Sequence, residues 1–480
     1  MESNNRPNLV YIFADQWRRQ AVGYEEEDQV ITPNIDAFSK EGTVFSNALT
    51  VSPLCSPHRA SLLTGKYPIH TGVFTNCKVG ADVMLQPDET CISDVLADSG
   101  YETCYIGKWH LDLPELNVTD KPASGAKGWD AYTPPGPKRH GFQHWYSYGA
   151  WDDHLSPHYW GDSPEKIKVQ QWSVEHETDK AIEFIEKRDQ EKAFALFISW
   201  NPPHSPFDQV PDKYRKVYEG MDLKFRKNVE IRDPLLVHTG EHVDGGEEKL
   251  KENQLNYFAA ITGIDEQFGR ILELLKEKNL NENTIVVLTS DHGEMMGSHG
   301  LMAKHVWYEE SIGVPFIIRW PNKIPKAKSE VLLNTVDIMP TILSLMNLVA
   351  PDSVEGTDLS DFIIKQTNEG PEYAYISCYP GRKEALEQFQ EAGVSNLAYG
   401  WRAIRSKEYL YVIHNGYSPE DVQIRLFYKL MEDKFQQHPE VIREPIKHPI
   451  VSKLEGKLCD WLNEMNDPFL LYHVKKVVEQ

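Results

Sequence analysis

Leu9-Val10-Tyr11-Ile12-Phe13-Ala14-Asp15-Gln16 is the stretch that decides the fold. Six apolar residues in a row read as a strand of a covered sheet. The run stops at Asp15-Gln16, which leaves a carboxylate and an amide at the strand's carboxyl end. In open α/β sheets, ligands bind beyond those ends.

The same pattern recurs along the chain. Thr32-Pro33 looks like an N-cap and N1 proline opening a helix to about Ser39. Val44–Leu49 is a short strand, and Ser56–Leu63 reads as a helix starting right after Cys55. Ile92–Ala97 is helical, and strand Thr103–Gly107 ends in Lys108-Trp109-His110. A helix over Val174–Glu186 precedes strand Ala193–Trp200, which runs into Asn201-Pro202-Pro203-His204. Tyr257, Ile261, Ile264, Phe268, Ile271 and Leu275 mark a long amphipathic helix facing the core. Thr284–Leu288 is a strong strand ending in Ser290-Asp291-His292-Gly293. Pro315–Trp320 and helix Asp337–Met346 follow. Strands alternating with helices imply an α/β fold.

Past about residue 370 the pattern changes. Tyr373–Tyr379, Tyr399–Ser406 and Tyr409–Ile413 look like antiparallel strands, followed by a helix at Lys453–Leu462. The expectation is a catalytic domain over residues 1–370 and a smaller α+β subdomain over 371–480. Periodicity fails over 110–173 and 208–248, which read as irregular insertions. Long loops inside a compact enzyme are usually functional.

The chain has 480 residues and a formal net charge of −22, with no lysine or arginine run. Nucleic acid and anionic membrane surfaces call for basic patches, so neither is expected as a partner. No segment approaches the ~20 apolar residues of a membrane span. Six scattered cysteines without a CxxC pair read as mostly free buried thiols. The first strand begins too early for a charged n-region and an h-region, so the sequence as it stands reads as cytoplasmic. Removal of a signal peptide would make the protein periplasmic or secreted. The sequon Asn117-Val118-Thr119 reads as chance.

The chemistry gathers at the strand ends. Asp15, Gln16, Asp291 and His292 offer three oxygen-donor side chains and one imidazole, a set that suits a hard divalent cation. Lys108, His110 and His204 fall at equivalent ends. Any of these alone would read as a cap, a surface cation or a satisfied loop histidine, and Cys55 alone as an inert thiol.

The segment Leu54-Cys55-Ser56-Pro57-His58-Arg59-Ala60-Ser61-Leu62-Leu63-Thr64-Gly65 resembles the sulfatase signature, in which the cysteine of Cys-x-Pro-x-Arg is converted to formylglycine. Gly107-Lys108-Trp109-His110, Ser290-Asp291-His292-Gly293 and Gly300-Leu301-Met302-Ala303-Lys304 match companion motifs of that family in order, as does Arg6-Pro7-Asn8 through Gln16. The resemblance implies an alkaline-phosphatase-like mixed sheet flanked by helices, and hydrolysis of a sulfate ester. It also implies Ca2+, with Mg2+ or Mn2+ as alternatives, and a formylglycine-generating or anaerobic sulfatase-maturating enzyme as a partner.

By the same resemblance, a hydrated formylglycine at position 55 attacks sulfur, held by Arg59 and Lys108. His110 takes the proton that lets sulfate leave, and His204 and Lys304 bind sulfate oxygens and assist the leaving oxygen. Three positions depart from the pattern. Gln16 stands where many members have Asp, and is typical of a branch with phosphonate monoester hydrolases and choline sulfatases. His58 stands where Ser is commonest, and Leu426-Phe427-Tyr428-Lys429-Leu430 matches its C-terminal counterpart loosely. The alternatives are a phosphonate monoester or phosphodiester hydrolase of the same fold, and a non-catalytic carbohydrate-binding protein.

Residues 132–160 mix aromatics with Arg, His and Asp, a composition suited to sugar rings or equally to a satellite aromatic cluster. Arg139, His140 and His154 are the expected substrate contacts on a sulfated saccharide.

Overall fold

The computed structural model describes residues 6–229, 241–242, 246–367 and 370–471. An eight-stranded sheet runs in the order Ala327–Asn334, Thr43–Leu49, Phe316–Arg319, Thr284–Ser290, Asn8–Asp15, Phe194–Pro203, Glu102–Lys108, His144–Tyr148. Phe316–Arg319 is antiparallel to both neighbours, and the other pairings are parallel.

The unbroken apolar run at the start has a direct cause. Leu9, Tyr11 and Phe13 pack on one face with Leu62, Leu63 and Ile342, from helices Cys55–Thr64 and Thr335–Leu345. Val10, Ile12 and Ala14 pack on the other with Ile185, Ile261 and Phe268, from helices Ser173–Lys187 and Gly246–Glu277. A strand covered on both sides has no polar alternation.

Register sets the site. Ala14 lies opposite Ser290, Asp15 opposite Pro203, and Gly107 opposite Ser199. Asp15, Asp291, His204 and Lys108 therefore leave the sheet at nearly one level. Gly107, at φ 100, permits this closeness, since a Cβ there would lie 2.2 Å from the Ser199 carbonyl oxygen.

The stretch 110–173 is not irregular throughout, because His144–Tyr148 joins the sheet edge parallel to Glu102–Lys108. Its aromatics serve as a packing layer: Trp145 stacks on Tyr105 at 5.3 Å. Ala327–Asn334, half exposed at the opposite edge, also gave no clear signal in the sequence. Of 208–248, the described part holds the short helix Asp212–Arg215, a 3-10 turn at Lys216–Tyr218, the two-residue strand Glu241–His242 and the start of Gly246–Glu277. Residues 230–240 and 243–245 lie outside the described residues.

A second, antiparallel sheet runs Ala374–Cys378, Gly400–Arg405, Tyr409–Gly416, Ile424–Lys429, Glu440–Val441. Helix Pro449–Glu464 covers one face, with Trp461 stacked on Tyr375 at 4.8 Å. Trp307 and Tyr308, which precede strand Phe316–Arg319 in the chain, pack on the other. Arg402 is buried in this sheet and paired twice with Asp467, at 2.8 and 3.0 Å. Its guanidinium also lies 3.9 Å from the Tyr379 ring. All six cysteines are free, and all but Cys459 are buried. No helix among the described residues is long and apolar enough to cross a membrane.

Candidate active site

Helix Cys55–Thr64 begins at the carboxyl edge of the main sheet, and all ten of its residues are buried. Cys55 sits at its first position. The thiol donates to Asp15 Oδ1 at 3.5 Å and lies 3.3 Å from His292 Nε2. Burial, then Asp15, pushes the thiol up to about 12, so the unmodified side chain is neutral at pH 7 and a poor nucleophile.

Asp15, Cys55, Asp291 and His292 bring their donor atoms within 4.8 Å of one another, all buried. His292 Nδ1–H donates to the Gly293 carbonyl at 3.0 Å, which leaves the Nε2 lone pair facing the cluster. Burial raises Asp291 to about 7, and the adjacent Asp15 carboxylate adds to the shift. Burial also opposes ionisation of Asp15, but the Lys108 and Arg59 cations outweigh it and hold that carboxyl well below its usual range. Two buried carboxylates beside an oriented imidazole suit a divalent cation.

Gln16 enters differently. Its backbone N–H donates to Asp291 at 3.0 Å, while its side-chain amide bridges Lys304 and Glu294. Glu294 is buried and also accepts from the Met296 and Ala303 amides at 2.8 Å, which fixes the amide's orientation. Gln16 holds φ 66 and His110 φ 55, left-handed conformations that cost energy in a non-glycine residue.

Arg59 locks the floor. It donates to the Lys108 carbonyl and Ser199 Oγ, each at 2.7 Å, and to Asp15 and Asp291 at 3.0 and 3.2 Å. Lys108 Nζ meets Asp15 at 2.8 Å and donates to Asn201 Oδ1 at 3.0 Å. His110 Nε2–H donates to the Cys77 carbonyl at 3.1 Å, so Nδ1 carries the lone pair, and that atom is buried without a partner. Burial, then Lys108 and Arg59, holds His110 well below its usual value and therefore neutral. His204 Nδ1–H donates to the Ser205 carbonyl at 2.7 Å, and Nε2 accepts from Lys304 at 3.0 Å. Burial, then Lys304, lowers His204 to about 3, so the ammonium carries the proton of that pair.

These groups line a cavity of about 520 Å³ whose walls include Gln16, Cys55, Lys108, His110, His204 and Lys304. Several wall residues carried no signal in the sequence: Asn76, which accepts from Ser56 N at 3.0 Å, Trp129, Asp152, and the cations Lys78 and Arg382. They are lone polar or aromatic residues supplied from far apart in the chain. His58 points away, with Nδ1 between Thr50 and Thr335.

The expected substrate contacts do not line the cavity. Arg139 staples the insertion, bonded to Asp162, Thr133 O and Gly161 O. His140 bonds the Glu89 carbonyl at 3.1 Å, and His154 bonds the His204 carbonyl at 2.9 Å. All three are buried in the packing of the loop.

The sulfatase family profile matches residues 7–348, and that for the C-terminal region of N-sulphoglucosamine sulphohydrolase matches 297–464. The chain belongs to the sulfatase family. This sulfatase is 34% identical to an endo-4-O-sulfatase of Bacteroides thetaiotaomicron, over 98% of this chain and 94% of that protein. It is 36% identical to an ulvan-active sulfatase of Formosa agariphila, over 98% and 84%. A Bacteroides thetaiotaomicron structure solved in work on the metabolism of multiple glycosaminoglycans superposes with a TM-score of 0.85 at 32% identity, covering 99% of each chain. A phosphonate monoester hydrolase of Agrobacterium radiobacter, at 21% identity and TM-score 0.75 over 96% and 95%, shares the fold. The sulfatase is thus a sulfuric ester hydrolase of the alkaline phosphatase superfamily.

Proposed function

We propose that this sulfatase hydrolyses a sulfate ester on a saccharide, using a formylglycine made from Cys55 and a divalent cation held by Asp15, Asp291 and His292. The observation that carries the reading is the approach of Cys55 to Asp15 and His292, at 3.5 and 3.3 Å, on the floor of the cavity. At position 55 a hydrated formylglycine would supply the attacking oxygen and, through its second hydroxyl, a route back to the aldehyde that a serine lacks. Asp15, Asp291 and His292 would hold the divalent cation, Ca2+ on this donor set, which would supply Lewis-acid polarisation of a sulfate oxygen. Gln16 would join its ligands if its amide oxygen left Lys304.

The remaining roles belong to side chains seen in place. Arg59 neutralises the two carboxylates beside Cys55. Lys108, on the wall, meets the incoming anion. His110 Nδ1, neutral and unpartnered, takes the hydroxyl proton that releases sulfate. Lys304, hydrogen-bonded to His204, brings a positive charge and a proton to the leaving oxygen. These cations also resolve the −22 net charge: the positive field is concentrated where the sulfate must sit.

The printed activities of the two curated relatives, an endo-4-O-sulfatase and an ulvan-active sulfatase, support a sulfated glycan as substrate. Mass spectrometry of the Cys55 peptide from protein made with a maturating enzyme, beside kcat/KM for aryl sulfate and aryl phosphonate esters, tests the reading. A formylglycine mass shift and a sulfate preference are expected. Full activity with an unmodified thiol overturns the mechanism, and a phosphonate preference overturns the substrate.

A further inference from the structure

The rim of the cavity is built from two segments about 300 residues apart, and both bring cations. Lys78 lies on a turn that Asn117 clamps: its Nδ2 donates to the Lys78 and Ala81 carbonyls at 3.1 and 2.9 Å, and its Oδ1 accepts from Gly80 N at 2.9 Å. Arg382 and Lys383 come from the second domain, just after strand Ala374–Cys378. Gly381 makes that approach feasible, since a Cβ there would fall 1.9 Å from Thr75 Oγ1. The Lys383 stem in turn packs over Gly80. Lys383 opens helix Lys383–Glu391, whose N-terminus has no side-chain cap.

Among the described residues, no ion pair within 4.0 Å involves Lys78 or Arg382, while Lys383 has a long pair with Glu387 at 3.8 Å; the acids on the wall are Asp152 and Glu384. Lys78 and Arg382 line the same wall of the cavity, and burial, then Arg382, pushes Lys78 below the usual lysine value, with Glu384 acting in the opposite sense. His305, next to Lys304, lines the same cavity as the two cations. Three cations against two acids on one wall leave a local positive excess that favours an anion there. Beside them, Trp129 is 44% exposed, with its face 5.8 Å from Lys78 Nζ and stacked on His110 at 6.3 Å. An exposed indole at a polar cavity mouth is a platform for a sugar ring.

We propose that Lys78, Arg382 and Lys383, with the face of Trp129, form a second anion subsite that binds an acidic group on the sugar next to the hydrolysed ester, so that the substrate is a polyanionic glycan. This rests on the sulfatase reading above and names the substrate class of that same cavity. The acidic group is a carboxylate of a uronic acid or a second sulfate.

The test uses the mature, cation-loaded enzyme and four substrates: 4-nitrophenyl sulfate, a neutral disaccharide with one sulfate, and its counterparts carrying either a uronate or a second sulfate. The wild type is expected to favour an acidic disaccharide over the neutral one, and whichever acidic arm it favours identifies the group. Arg382→Ala and Lys78→Ala should each raise KM for that substrate about tenfold, the scale of one lost charge-assisted contact. Turnover of 4-nitrophenyl sulfate should stay within about twofold on the same basis. Arg382→Lys should recover part of the loss, and KM for the acidic substrate should rise with salt less steeply in the alanine variants. No preference for either acidic disaccharide, or equal losses on the acidic and aryl substrates, overturns the subsite while leaving the sulfatase reading standing. A wild type that turns over none of the four overturns both.

Discussion

Removing the Asp467 carboxylate should show how firmly the C-terminal subdomain is held. Arg402 and Asp467 are both fully buried and joined by two hydrogen bonds of 2.8 and 3.0 Å. Asp467→Ala leaves the guanidinium facing protein with no counter-charge, and also frees Phe469 N, which donates to Asp467 at 2.9 Å. Breaking a buried pair from one side costs about 3–5 kcal/mol. At about 2.1 cal/mol/K of unfolding entropy per residue, 480 residues give roughly 1 kcal/mol/K, so a fall in Tm of about 3–5 °C is expected. Arg402 has other bonds, to the Leu397, Tyr399 and Trp401 carbonyls, so Arg402→Met should cost at least as much. A double-mutant cycle in urea isolates the pair, and a coupling of about 2 kcal/mol or more is expected. A coupling below about 0.5 kcal/mol would refute the reasoning that the charge pair, rather than the carbonyl bonds, fixes this corner.

Stripping divalent cations with a chelator should lower both activity and Tm, since Asp15 and Asp291 then face each other with only Arg59 and Lys108 between them. With 1 mM Ca2+ at a hundred times Kd, re-addition should restore about 2.7 kcal/mol, read as a Tm shift in calorimetry. His110→Gln should lower kcat at least 100-fold on the general-base scale, with sulfate accumulating on the protein in intact-mass spectra. Asp337, which accepts from Asn334 N and Thr357 N at 2.8 Å each, is raised to about 6 by burial. Its native form therefore binds a proton more tightly than the unfolded chain, so its contribution to stability falls as pH rises from about 4 to 6. Asp337→Asn should flatten the urea-stability profile in that window, and an unchanged slope would sink the assignment.

How much of this was legible in the sequence depends on distance along the chain. Strands Asn8–Asp15 and Thr284–Ser290 announced themselves as apolar runs because both faces are covered, and their polar ends gave the level of the site. His144–Tyr148 hid because an aromatic edge strand in a Pro- and Gly-rich stretch shows neither alternation nor a continuous apolar run. Arg139 and His140 are hard to read for a related reason: cations among aromatics look the same whether they hold a sugar or hold their own loop together. The rim cations could not be seen at all. Lys78 and Arg382 meet only through tertiary folding, and Gly381 reads as an ordinary turn residue until Thr75 is placed against it.

The packing of helix Cys55–Thr64 against Thr335–Leu345 also sets a clock. During synthesis the first helix emerges about 270 residues before the second that seals it. At about 5–20 residues per second, that interval is roughly 15–55 s. If Cys55 is converted as proposed, the converting enzyme would need the segment open, and the finished fold leaves the thiol 1% exposed. Maturation would then be a race on the ribosome, and slower translation of residues 65–335 should raise the fraction of chains that leave it able to turn over substrate.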